Sequence, residues 1–222
     1  MAILFSSERG CAEPADGGKS GALKTKLECS QRPMAHQIRP AVEVIVLAGG
    51  LSSRMGGDKA RLQLGARTLL AWMRAAAKTT CWRVRVIRRD LVPRCGPLGG
   101  VWTAFRRSRA ERLVFLSCDM PFVTPDLIRR IAERKGRGVF AHTEEGAGFP
   151  FALDRACLPL LEQALAEKQF SLQALARHVR ARELRLPSSR LGELQNLNTT
   201  EDFARAQASL CAKALAPSSD AE

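Results

Sequence analysis

The chain has 222 residues, 45% of them hydrophobic, which suits one α/β catalytic domain with a core between sheet and helices. Thirty-five Lys and Arg stand against 22 Asp and Glu, a formal charge of +13 that points to a polyanionic partner, either nucleic acid or a phosphate-rich substrate. Aromatic residues make up only 5% and tyrosine is absent, which argues against a base-stacking surface for RNA. The seven cysteines form no CxxC pair and no cysteine-histidine ligand spacing, so a zinc site is not expected and reduced thiols in the cytoplasm are. MAILFSS at the start is too short an apolar run for an export signal, and no stretch nears the ~18 apolar residues of a membrane helix.

Residues 1–40 lack helical or strand periodicity and read as a disordered extension, with Met34 as an alternative start that the intact mass of the native protein would reveal. Residues 41–215 read as a single domain and 216–222 as a disordered tail. Glu43 to Leu47 (EVIVL) is short, apolar and β-branched, as in a strand buried on both faces of a parallel sheet. Thr68 to Lys78 then predicts a helix, Val84 to Ile87 a strand, Gly99 to Arg107 a helix and Leu113 to Ser117 a strand. Thr124 caps a helix that has Pro125 in its first turn and runs to about Lys135. Val139 to His142 and Phe151 to Leu153 predict strands around a glycine turn at Gly146 and Gly148. Helices over Arg155 to Glu167 and Ser171 to Val179, a strand over Leu184 to Leu186 and a helix from Glu201 to about Leu215 complete the domain. This alternation predicts a three-layer, Rossmann-like α/β fold, a mostly parallel sheet with helices on both faces.

The most informative stretch is LAGGLSSRMGGDKARL, residues 47–62. Its glycines, Gly49 and Gly50 among them, let the backbone approach a nucleotide and aim N–H groups at phosphate oxygens, while Arg54 and Lys59 add mobile positive charge. It is not a P-loop, because Asp58 precedes the lysine and Ala60 follows it, and it lacks the GxGxxG dinucleotide pattern. Asp119, in LVFLSCDMPF, falls at the carboxyl end of a buried strand, where ligands of open α/β sheets bind and where a carboxylate can hold magnesium. Alone, such an aspartate is more often a turn or helix-cap residue; together with the glycine loop the metal reading is the better one.

CGPLGG at 95–100 brings Gly99 to a turn that could lie against a base or ribose, or could simply be a tight strand-to-helix connection. Asp90 offers a second carboxylate at the same sheet edge, or an ion pair with Arg88 or Arg89. Weaker marks are GFPF, with Phe149 and Pro150, and NLNTTED, with Asn196 and Asn198 ending a last strand and Thr199 or Thr200 capping the helix after it.

Taken in order, LAGGLSSRMGGDK, CGPLGG, CDMPF, GFPF and NLNTTED resemble the molybdenum cofactor guanylyltransferases over roughly residues 43–207. The resemblance implies a nucleotidyltransferase that uses GTP and magnesium to attach GMP to molybdopterin, releasing pyrophosphate. It implies nucleotide contacts at Leu47, Ala48, Gly49, Gly50, Lys59, Asp90, Gly99 and Asp119, with magnesium on Asp119. Arg54, Lys59 and Asp119 would be the catalytic set, and Phe149, Pro150, Asn196 and Asn198 would lie toward the pterin. Molybdoenzymes or their chaperones would be the protein partners, with no membrane and no nucleic acid involved.

The chain departs from the family between 79 and 95, where it has room for one strand instead of two strands and a helix, and it has no asparagine before Asn196 to match the family's nucleotide-contacting one. Two other readings therefore stand beside guanylyl transfer. One is a related transferase with another base or acceptor, such as a molybdopterin cytidylyltransferase; the other is a non-catalytic protein that binds and delivers the pterin.

Overall fold

Alternate residues of strand β1 (Val42–Leu47) serve opposite faces of the sheet: Val44 and Val46 join one core cluster, Ile45 and Leu47 the other. The structure is a computed structural model that describes residues 41–49 and 59–215. β1 is flanked in parallel by β4 (Arg83–Ile87) and β5 (Arg112–Ser117), with Leu47 level with both Ile87 and Ser117. That register brings three strand ends to one line at the carboxyl edge.

The sheet continues through β7 (Gly146–Asp154), β6 (Gly138–Thr143) and β8 (Arg182–Leu184), in the order β4-β1-β5-β7-β6-β8. Only β7 runs against the rest, so the sheet is mostly parallel. Helices α1 (Leu69–Lys78) and α3 (Pro125–Glu133) pack on one face. On the other lie α2 (Gly96–Arg107), α4 (Leu158–Ala166) and α5 (Leu172–His178). At the centre of the second layer Phe151 stacks on Phe140 and Phe115, with ring centroids 4.5 and 4.9 Å apart. Stacking adds about 0.5–1.5 kcal/mol per pair to the burial of the rings themselves.

Buried ion pairs lock the amino edge. Glu43, 3% exposed, receives a hydrogen bond from Arg85 at 2.8 Å and another from the Ser108 hydroxyl. Arg112 donates to Asp154 and to the carbonyls of Ile131, Arg134 and Gly136, which satisfies acceptors that the end of α3 leaves open.

Several sequence expectations need correction. A hairpin of β2 (Gln63–Leu64) and β3 (Arg67–Thr68) precedes α1; two-residue strands are too short to leave a period in the sequence. Gly146 and Gly148 lie within β7, which begins after a turn at Glu144 and Glu145. The last strand lies earlier than Leu184 to Leu186, at Arg182–Leu184, and a 3-10 segment, Ser188–Leu194, follows it. α2 starts at Gly96, three residues ahead of Gly99, because Pro97 suits the first helical turn. A single strand, β4, separates α1 from α2, and among the described residues no strand pairs with its outer edge. The last helix, α6 (Thr200–Leu215), packs Ala206 against Leu64, Leu69 and Leu197.

Candidate active site

Hydrogen bonds continue the sheet one residue past its strands and so fix where the loops leave it. The Ala48 amide donates to the Ile87 carbonyl at 2.8 Å, and the Cys118 amide to the Leu47 carbonyl at 3.1 Å. Gly49, Asp90 and Asp119 therefore leave three neighbouring strand ends, β1, β4 and β5, which lie about 4.8 Å apart from one to the next. The site divides into two parts on either side of β1.

On the β5 side, Asp119 is held from both ends. The Ser117 hydroxyl donates to Oδ1, while the Asp119 carbonyl accepts from the Leu197 amide at 2.8 Å. Lys59 brings its Nζ to 3.7 Å from Asp119 Oδ2 and donates to Asn198 Oδ1 at 3.0 Å and to the Leu197 carbonyl at 3.4 Å. Both charged side chains are less than one-fifth exposed. An ammonium and a carboxylate so placed can share a triphosphate, the one contacting oxygens and the other holding a cation. Among the described residues no three His, Cys, Asp or Glu side chains are grouped to hold a metal. Asp119 is a lone hard-oxygen donor, which fits magnesium, since that ion commonly takes one or two carboxylates and completes its shell with phosphate oxygens and water.

Asn198 owes its position to the start of α6. Asp202 accepts from the amides of Asn198 and Thr199, and the Thr199 hydroxyl accepts from the Asp202 amide, a reciprocal capping box. The Thr199 amide, then its hydroxyl, hold the Asp202 carboxyl below the usual carboxylate range. Upstream, the 3-10 segment is pinned to α3 where the Thr124 hydroxyl bonds Glu193 and Arg190 meets Asp126 at 2.7 Å.

On the β4 side the site is made by missing side chains. A Cβ at Gly49 would stand 2.8 Å from the Arg88 carbonyl oxygen, and one at Gly99 2.7 Å from that of Val92. A Cβ at Gly100 would meet Leu47 at 3.1 Å and the Asp90 carboxylate at 3.2 Å. The Thr103 hydroxyl bridges the Leu91 amide and the Gly99 carbonyl, which ties the Asp90 loop to α2. Burial pushes the Asp90 carboxyl above its ordinary range, and the ion pair with Arg88 or Arg89 that the sequence allowed is absent among the described residues.

The structure thus brings together Lys59, Asp119 and Asn198, and separately Leu47, Gly49, Gly99 and Asp90. Asn198 faces Lys59, while Asn196 is exposed and follows the 3-10 segment instead of a strand. Phe149 and Pro150 sit where β7 bulges: Phe140 pairs with Phe151 but its neighbour Ala141 pairs with Gly148. The pairing of β7 with β5 ends at Phe115–Phe151, so Phe149 and Pro150 lie just past it, with the Phe149 ring 5.0 Å from that of Phe151. Gly50 and Arg54 lie outside the described residues. Sequence reasoning did not single out Ser117 or Asp202; a hydroxyl two residues before a strand-end aspartate was the available signal for the first. No described helix is long and apolar enough to cross a membrane.

Residues 44–184 match the model of the MobA-like NTP transferase domain. The molybdenum cofactor guanylyltransferase of Xanthomonas euvesicatoria pv. vesicatoria is 30% identical over 174 residues, 72% of this chain and 92% of the relative. Among solved structures, molybdopterin-guanine dinucleotide biosynthesis protein A from Archaeoglobus fulgidus superposes with a TM-score of 0.62 at 20% identity, covering 77% of this chain and 99% of its own. The 4-diphosphocytidyl-2C-methyl-D-erythritol synthase of Anaerococcus prevotii shares the fold at a TM-score of 0.59 and 13% identity, over 78% of this chain and 99% of that one. With Lys59, Asp90, Gly99 and Asp119 inside the matched span and Asn198 beyond it, the chain belongs to the MobA-like NTP transferases and is a nucleotidyltransferase.

Proposed function

We propose that the protein transfers GMP from GTP to molybdopterin in the cytoplasm, releasing pyrophosphate and forming the guanine dinucleotide cofactor. The observation that carries this reading is the convergence of Lys59, Asp119 and Asn198 at the carboxyl edge, in a chain 30% identical to a guanylyltransferase. A terminal phosphate oxygen of molybdopterin forms a bond to the α-phosphorus of GTP as the bond from that phosphorus to the β-phosphate bridging oxygen breaks. The nucleophile is already an anion, so little proton transfer is needed; the protein must align two polyanions and neutralise them.

Lys59 and the amides following Gly49 would hold the triphosphate, with Arg54 beside them, and Ser117 would keep Asp119 in one orientation. Asp119 would hold magnesium, which supplies charge neutralisation at the reacting phosphate. Asp90 and the Gly99 backbone would meet the nucleoside, while Phe149 and Pro150, with Asn196 further out, would form the pterin side. The excess of positive charge would draw in both substrates.

A second reading, another base or acceptor, is favoured by one observation: among the described residues β4 is the sheet edge, and no strand there corresponds to the asparagine-bearing one that the family resemblance implies. The full chain, mixed with magnesium, molybdopterin and each nucleoside triphosphate in turn, is expected to release pyrophosphate with GTP and to lose that release on Asp119→Ala. Release with CTP alone would establish the second reading. Pterin binding without any release would make the protein a delivery factor, and an unaffected Asp119→Ala variant would remove Asp119 from the mechanism.

A further inference from the structure

The open edge of β4 borders a groove of about 420 Å³ between that strand and α1. Leu70, Val84 and Val86 give it an apolar floor. Arg74 and Lys78, one helical turn apart and both exposed, line it from α1, while Arg83 and Arg85 line it from β4 and Arg88 from just past that strand's end. Among the described residues no acidic side chain lines it; Glu43, buried behind the strand, offsets part of the charge through Arg83 and Arg85.

Main-chain geometry adds direction to this charge. The Ile87 carbonyl faces β1, where it accepts from the Ala48 amide, and parallel pairing alternates along a strand. Arg83 and Arg85 therefore turn their peptide groups to β1 as well, and Val84 and Val86 turn theirs to the open edge. An edge of this kind is a template for another strand.

We propose that this groove docks an extended acidic segment of a partner protein, which adds a strand to β4. Its peptide groups pair with those of Val84 and Val86, its apolar side chains cover the floor and its carboxylates meet Arg74 and Lys78. Charge excludes a second copy of β4, which would set arginines against arginines. It also disfavours residues 1–40, where Lys and Arg outnumber Asp and Glu. Among the described residues the groove contains no aromatic side chain for stacking nucleobases, which favours a peptide over single-stranded nucleic acid. Because the Arg88 carbonyl lies against Gly49, a partner docked here stands beside the nucleotide end of the sheet.

The test uses the full chain and a fluorescein-labelled peptide alternating glutamate and valine, followed by anisotropy at low and high salt. Saturable, salt-sensitive binding is expected. It should weaken at least about tenfold in the double variant Arg74→Glu, Lys78→Gln, since like charges across an interface are strongly unfavourable. Glutamine at position 78 avoids an acid at the carboxyl end of α1. A peptide N-methylated at alternate amides should lose about as much, because it cannot pair with an edge.

No binding, equal binding to the variant, or indifference to N-methylation would overturn the proposal, as would tighter binding of an unlabelled single-stranded oligonucleotide. If the variant melts early, hydrogen exchange in the wild-type protein decides: the Val84 and Val86 amides must slow when peptide is added, and unchanged rates would overturn it.

Discussion

The two edges of the sheet carry charge in opposite ways. At the amino edge, Glu43 and Arg112 are buried and each is answered by several donors or acceptors, so their charges are spent on holding strands and helix ends together. At the carboxyl edge, Lys59 and Asp119 stand 3.7 Å apart and remain partly accessible, and Asp90 has no ion-pair partner among the described residues. A charge closed off by the protein stabilises the fold; a charge left accessible beside glycine backbone is available to a ligand.

This contrast predicts a separation of stability from catalysis. The largest effect on folding should come from Arg112→Met, which leaves Asp154 and three carbonyls without their donor and should cost about 3 kcal/mol in urea unfolding. If that variant unfolded like wild type, the amino edge would not be the brace described here.

Asp119→Asn should leave the unfolding curve nearly unchanged yet lower turnover by about 10²- to 10³-fold, the range seen when one electrostatic stabiliser of a transition state is removed. A large loss of stability with turnover intact would reverse the assignment of the two edges.

Smaller effects sharpen the division within the carboxyl edge. Gly49→Ala sets a methyl group against the Arg88 carbonyl and should destabilise by about 1–3 kcal/mol, visible as a lower midpoint in denaturant. Asn198→Ala removes an acceptor from Lys59 without opening the core. It should reduce kcat/KM by about tenfold, the size of one charge-assisted hydrogen bond, with little change in melting temperature.

The smallest effect concerns Asp90, whose folded-state pKa is raised by burial. The folded protein then holds this proton more firmly than the unfolded chain, so ionising Asp90 as pH rises through and above the ordinary carboxylate range lowers stability. Asp90→Asn should accordingly raise the melting temperature at neutral pH, with the gain disappearing once the pH falls below that range. A gain that persists at low pH would show that packing, not desolvation, is responsible.

Periodicity and punctuation made much of the architecture legible. EVIVL, the Thr68 and Thr124 caps and the apolar run before Asp119 each announce an element from local chemistry, and strand-helix alternation announces the layered sheet. Motif order within the chain was enough to indicate the family and to single out Lys59, Asp90 and Asp119. The β2–β3 hairpin and the 3-10 segment left no such trace, because segments this short or irregular are set by what they pack against.

What the sequence could not contain was the pairing of distant parts. Lys59 and Asn198 lie 139 positions apart, and Asp119 meets the Leu197 amide only because α6 returns to the hairpin and its capping box fixes the Asn198 backbone. Likewise, the residues of the LAGG and GPLGG turns identify two tight turns, but only the packed sheet sets Gly49 against Arg88 and Gly99 against Val92. Local sequence determines backbone preference and chemistry; the fold alone determines which of those chemistries come within a bond's length of one another.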